Sequence, residues 1–103
     1  MSFFGLFGGG SDSGSIEEYI NDGAIVIDVR TSQEFSGGHV KGSKNIVLNS
    51  IPMSVEEIKA LNKKIIAVCR SGARSGQATS FLSKHGIDVI NGGPWQNVAK
   101  FVS

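Results

Sequence analysis

Residues 65–76 read Ile-Ile-Ala-Val-Cys-Arg-Ser-Gly-Ala-Arg-Ser-Gly, an apolar run that stops at a cysteine and opens into a polar, glycine-bearing loop. A cysteine is a nucleophile only as thiolate, and neighbouring cations and a helix N-terminus are what lower its pKa. Cys69 has Arg70 and Arg74 on its loop, and Ala78, Phe81, Leu82 and His85 repeat at helical spacing just beyond it. Loop residues Arg70, Ser71, Gly72, Ala73, Arg74 and Ser75 are expected to wrap the sulfur with their N–H groups turned inward as an anion nest. The length of such a loop sets the size of the anion it surrounds.

A loop of this kind needs elements to enter and leave it. Residues 65–68 are the expected strand before it, and Gly86 is the expected end of the helix after it. Upstream, Ser15 and Glu18 form a capping box for a helix carrying Ile16, Tyr19 and Ile20, which Gly23 ends. Residues 24–29 read as a strand buried on both faces. A short helical turn over 32–36 follows, then a loop holding Gly37, Gly38, His39 and Gly42, then a strand near 46–48. Ser54 is the expected N-cap of a helix with Val55, Ile58 and Leu61, and Glu56 and Glu57 suit its first turn. Residues 87–90 are the last expected strand, after which Gly92-Gly93-Pro94 turns into a short closing helix. Strands alternating with helices predict an α/β fold, a mostly parallel sheet of four to five short strands with helices on both faces. Ligands bind beyond the carboxyl ends of such strands. Asp28 and Arg30 fall on that same edge as Cys69.

With 103 residues the chain is expected to form a single domain over 15–103. The Gly/Ser/Phe-rich stretch 1–14 reads as a flexible tail, with Phe3, Phe4, Leu6 and Phe7 as its apolar members. Ten Lys and Arg against nine Asp and Glu, net +1, create no global field for nucleic acid or acidic membrane, so neither partner is expected. The single cysteine excludes an internal disulfide and a multi-cysteine zinc site. Cys69, His39 and His85 lack metal-site spacing, so no metal or cofactor is expected. No apolar run reaches the roughly 18 residues that span a bilayer. The N-terminus lacks the positive start of an export signal. The expected location is therefore a reducing cytoplasm. A group carried on Cys69 would need an outside acceptor, because the chain has no second thiol to release it.

The chain resembles the rhodanese-like sulfurtransferases from about Ser15 onward. The matching residues are Ile27-Asp28-Val29-Arg30, Glu34-Phe35, Gly38-His39-Val40-Lys41-Gly42-Ser43, Asn45-Ile46, Cys69 through Ser75, and Gly92-Gly93 with Trp95. The resemblance implies a three-layer rhodanese-like fold and a Cys69 nucleophile that takes the outer sulfur of a donor such as thiosulfate. The persulfide then passes to cyanide or to a thiol such as thioredoxin or glutathione. Arg70 and Arg74 would attract the anionic donor, and residues 70–75 would bind it. In this family a six-residue loop from cysteine to arginine goes with sulfur transfer, and one residue more goes with dual-specificity phosphatases. Cys69 to Arg74 is six.

Other readings compete at several of these residues. Arg74 could pair structurally with Asp28, and Arg30 with Glu34, leaving Asp28, Arg30 and His39 in supporting roles. Ser75 could cap the following helix or bond the sulfur. Trp95 could be core, cleft wall or a stacking surface. A Cys69–His39 hydrolase pair lacks a third orienting residue, so His39 is expected to fix its own loop. At the level of function, a non-catalytic docking module of the same fold and a phosphatase or arsenate reductase are the alternatives.

Overall fold

The computed structural model describes residues 13–102. The stretch expected as a tail lies outside the described residues up to Asp12, together with its Phe3, Phe4, Leu6 and Phe7. Helix α1 (Ser13–Asn21) takes in Ser13 and Gly14, so helix begins ahead of the expected Ser15 start.

Four parallel strands form the sheet: β1 (Ile25–Asp28), β2 (Lys44–Asn45), β3 (Ile65–Cys69) and β4 (Val89–Pro94), in the order β2-β1-β3-β4. Successive side chains on a strand point to opposite faces, and the core divides accordingly. Ile27, Ile65, Ala67 and Cys69 pack on one face with Val55 and Ile58 of α3 (Val55–Leu61) and with Ala78 and Leu82 of α4 (Ala73–Lys84). Val26, Ile66 and Val68 pack on the other with Ile16 of α1 and Val98 of α5 (Trp95–Ala99). Every residue of β3 is buried, which is why its sequence is a continuous apolar run. The short helix α2 (Ser32–Ser36) follows β1 and carries a full capping box between Thr31 and Glu34.

Three expectations give way to tertiary packing. The strand expected near 46–48 pairs instead at Lys44 and Asn45. Ile46 and Leu48 still donate their N–H groups to Asp28 and Val29, but their side chains drop onto the α3/α4 face of the core. The chain accordingly winds into a 3-10 turn over Leu48–Ser50. Ser54 does not cap α3, because its hydroxyl donates back to the Ser50 carbonyl at 2.8 Å. The last strand does not stop before Gly92-Gly93-Pro94 but runs through them. Ala67 pairs with Asn91 and Val68 with Gly93, so Gly92 is an inserted bulge residue. Asn91, in regular register with Ala67 just before the bulge, shares the face of Ala67, Cys69 and α4.

Candidate active site

Cys69 ends β3 with only 1% of its surface exposed, and the chain then bends through Ser71 and Gly72 into α4. Gly72 makes that bend at φ 103°, a region costly for any residue with a Cβ. The bend aims donors at the sulfur. Gly72 N–H donates to Sγ at 3.0 Å and Ser75 N–H at 3.4 Å. The Ser75 hydroxyl lies 3.3 Å from Sγ. Burial pushes the thiol pKa up, but hydrogen bonds from the Ser75 hydroxyl and from the Ser75, Gly72 and Ser71 N–H groups outweigh it and hold the pKa below its ordinary value.

The arginines contribute less to that lowering than their spacing implies, for a geometric reason. Arg74 is locked to Glu34 of α2, Nη1 to Oε1 at 2.8 Å and Nη2 to Oε2 at 3.1 Å, so its charge is already matched. Arg70 is exposed to water. The expected Arg74–Asp28 and Arg30–Glu34 pairs are therefore exchanged. Asp28, fully buried, takes Arg30 Nε at 2.9 Å and Nη2 at 2.8 Å, and also accepts the Arg30 backbone N–H at 3.0 Å. Arg30 Nη2 reaches on to the Gly38 carbonyl at 2.7 Å, and its guanidinium sits 5.2 Å from the Trp95 ring centre. Asn45 Nδ2 donates to the Asp28 and Arg30 carbonyls, tying β2 to this corner.

Beside the loop, Arg30, Glu34, Gly38, Arg70, Trp95 and Gln96 are among the residues lining a cleft of about 300 Å³. Trp95 thus stands as cleft wall. A larger cavity of about 590 Å³, lined in part by Lys59, Lys63 and His85, shares no residue with the loop. His39 is exposed, bonds the Phe35 carbonyl through Nδ1 at 2.7 Å and stacks on the Phe35 ring, so it braces its own loop. Among the described residues no cluster of His, Cys, Asp or Glu could hold a metal ion, and no helix is long and apolar enough to cross a membrane.

Of the expected site residues, Gly72 and Ser75 meet at the Cys69 sulfur, while Arg70 lines the cleft and Ala73 is exposed at the start of α4. Ser75 does not cap α4: its N–H donates to the sulfur and its hydroxyl lies between the sulfur and Asn91 Oδ1. Two residues escaped the sequence reading of the site. Glu34, expected as a partner of Arg30, joins Arg74 instead, a link that spans 40 residues. Asn91 had one available signal: an amide at the carboxyl end of an otherwise apolar strand, just before Gly92-Gly93.

The Rhodanese family, described as a rhodanese-like domain, matches residues 13–95. The chain belongs to the rhodanese-like domain family. YqhL of Bacillus subtilis, an uncharacterized protein, is 40% identical over 65% of this chain and 52% of its own length. A sulfurtransferase of Allochromatium vinosum is 31% identical over 73% of this chain and 71% of its own. A tRNA uridine(34) hydroxylase of Staphylococcus carnosus is 36% identical over 68% of this chain, which matches only 24% of that protein. The chain thus spans about half the length of YqhL and a quarter of the hydroxylase. Among solved structures, the rhodanese with anions from E. coli is 30% identical with a TM-score of 0.65, covering 74% of this chain and 92% of that one. Rhodanese-like relatives include sulfurtransferases, and the parallel sheet with helices on both faces is the fold they share.

The Glu34–Arg74 pair carries a pH signature. Hydrogen bonds from Arg74 first, then from the Thr31 backbone, hold the Glu34 carboxyl at about 2 against an ordinary 4.5. A carboxyl whose folded pKa lies below its unfolded one stabilises the fold above the ordinary value, and that contribution fades as pH falls toward the folded one. Stability should therefore drop between about pH 4.5 and about pH 2, and Glu34→Gln should flatten that slope. Urea midpoints for the two proteins at stepped pH check it, and parallel slopes would remove the pair from the account.

Proposed function

We propose that this chain is a sulfurtransferase that carries sulfane sulfur as a persulfide on Cys69. The convergence of the Gly72 and Ser75 N–H groups and the Ser75 hydroxyl on one sulfur carries the reading. These donors favour a charged sulfur in a site that excludes water. In the first step the Cys69 thiolate attacks the outer sulfur of thiosulfate or of a persulfide donor. A Cys69 S–S bond forms, the donor's S–S bond breaks, and the electron pair leaves on sulfite or on the donor thiolate. In the second step cyanide or an external thiolate, such as that of thioredoxin or glutathione, takes the outer sulfur and Cys69 leaves as thiolate.

Arg70 is the exposed cation of the adjoining cleft and suits a small anionic donor, while Arg30 and Glu34, which also line it, are matched by Asp28 and Arg74. Arg74, held by Glu34, fixes the end of the loop that would surround the transferred sulfur. A six-residue loop makes a narrower ring than a phosphoryl group with three oxygens needs. The sulfurtransferase of Allochromatium vinosum supports the reading by similarity over most of both chains.

Incubation with thiosulfate followed by intact-mass analysis should add one sulfur atom, lost on treatment with cyanide or a thiol. Cys69→Ser should take up none. An unlabelled wild-type protein, or turnover of an aryl phosphate in its place, would overturn the assignment.

A further inference from the structure

Asn91 lies on β4, contacts no expected substrate position, and holds the reactive loop through bonds that leave one proton to be shared. Its Oδ1 accepts the Gly93 N–H at 2.9 Å. A backbone N–H only donates, so the amide oxygen must face it. The same Oδ1 lies 2.6 Å from the Ser75 hydroxyl, which must donate to it, and Nδ2 donates to the Gly72 carbonyl at 3.1 Å. Ser75 has one hydroxyl proton. With that proton on Asn91, the contact between Ser75 Oγ and Sγ at 3.3 Å is satisfied only by the thiol proton donating to Oγ.

We infer that Asn91 is a positioning residue that competes with the Cys69 sulfur for the Ser75 hydroxyl proton, so that this hydroxyl turns to the sulfur only when the thiol ionises. The inference rests on Cys69 being the working nucleophile. When the thiol gives its proton to solvent, Oγ would face a thiolate with lone pairs on both sides unless its own proton rotates from Oδ1 to Sγ. Asn91 is not orphaned by that rotation, because Gly93 N–H stays on Oδ1. Once the sulfur is loaded, the inner sulfur is neutral and a weak acceptor, and the hydroxyl returns to Asn91. Asn91 therefore favours the protonated and loaded forms over the free thiolate.

The charged groups around the sulfur do not duplicate this role. Arg74 of α4 is matched by Glu34 of α2, Asp28 by Arg30, and Arg70 faces solvent. Neither β4 nor α5 carries an ionisable side chain.

Thiolate absorbance titrated against pH reads the proton directly. Cys69 is the only thiol, and Tyr19, the only tyrosine, is pushed up to about 12 by burial and by its bond to Asp88. Asn91→Ala frees the hydroxyl for the thiolate, and the thiolate fraction at a fixed pH below the midpoint should rise about tenfold, the effect of one charge-assisted hydrogen bond. Ser75→Ala should lower it by a similar factor. In the Ser75→Ala background, Asn91→Ala should change nothing. Asn91→Asp keeps the shape and the grip on the hydroxyl and adds a charge that repels the thiolate, so its thiolate fraction should fall. A merely loosened loop would withdraw the Gly72 N–H from the sulfur and lower the thiolate fraction of Asn91→Ala, whereas released proton competition raises it. A fall or no change in Asn91→Ala, or an effect that survives in Ser75→Ala, would overturn the inference. The titration needs no sulfur donor, so it stands or falls apart from the thiosulfate experiment.

Discussion

Asp28→Ala is expected to destabilise the fold by about 3–5 kcal/mol, the cost of stranding a buried charge by removing its partner. Against a total stability of about 5–15 kcal/mol for a domain of this size, that is a large share. Arg30 is 5% exposed and Asp28 not at all, so neither charge has water to fall back on. Removing the carboxylate takes the acceptor from Arg30 Nε, Nη2 and the Arg30 backbone N–H together, leaving Gly38 O and the Trp95 face as the remaining partners. Asp28→Asn keeps one acceptor and should fall between wild type and alanine. Urea unfolding of the three proteins tests the ranking. A cost below about 1 kcal/mol for alanine, the range of an exposed pair, would mean that water reaches Arg30.

Gly92→Ala is expected to cost about 1–3 kcal/mol or more through overpacking. A Cβ at Gly92 would stand 2.7 Å from Ile66 Cγ2 and 2.9 Å from both Val68 Cγ1 and Val98 Cγ2. All these neighbours are β-branched, with little rotamer freedom to give way. The backbone of β4 must shift instead, and Gly93 N–H, which anchors Asn91, shifts with it. A displaced urea midpoint should therefore come with a changed thiolate titration. Ile66→Ala opens space beside the new methyl. In combination the two substitutions should cost less than their sum, and strict additivity would place the strain elsewhere.

Gly92 also shows why some of the architecture was unreadable from the chain. A Gly-Gly-Pro run carries every local mark of a turn, and only the crowd of side chains from β3 and α5 turns it into strand and bulge. Ile46, Val47 and Leu48 likewise have the composition of a strand, yet Ile46 and Leu48 serve the core from an irregular segment while polar Lys44 and Asn45 do the pairing. By contrast, β1, β3 and α4 were legible because their burial pattern is written at their own spacing, continuous for β3 and periodic for α4. The cysteine loop was legible for the same reason, being a contiguous run. Its partners were not. Arg74 meets Glu34 across 40 residues and Ser75 meets Asn91 across 16, and nothing at either end encodes the other except sign or hydrogen-bonding type.

That division of labour has a consequence for the unfolded and half-folded chain. The groups that brace the sulfur's loop come from α2, which precedes it, and from β4, which follows it. A chain still missing β4, or one in which that edge strand has opened, lacks Asn91, and with it both the tie to the Gly72 carbonyl and the competitor for the Ser75 hydroxyl. The cradle around the sulfur is thus assembled only when segments far apart in sequence have docked, and its tuning arrives with the last of them.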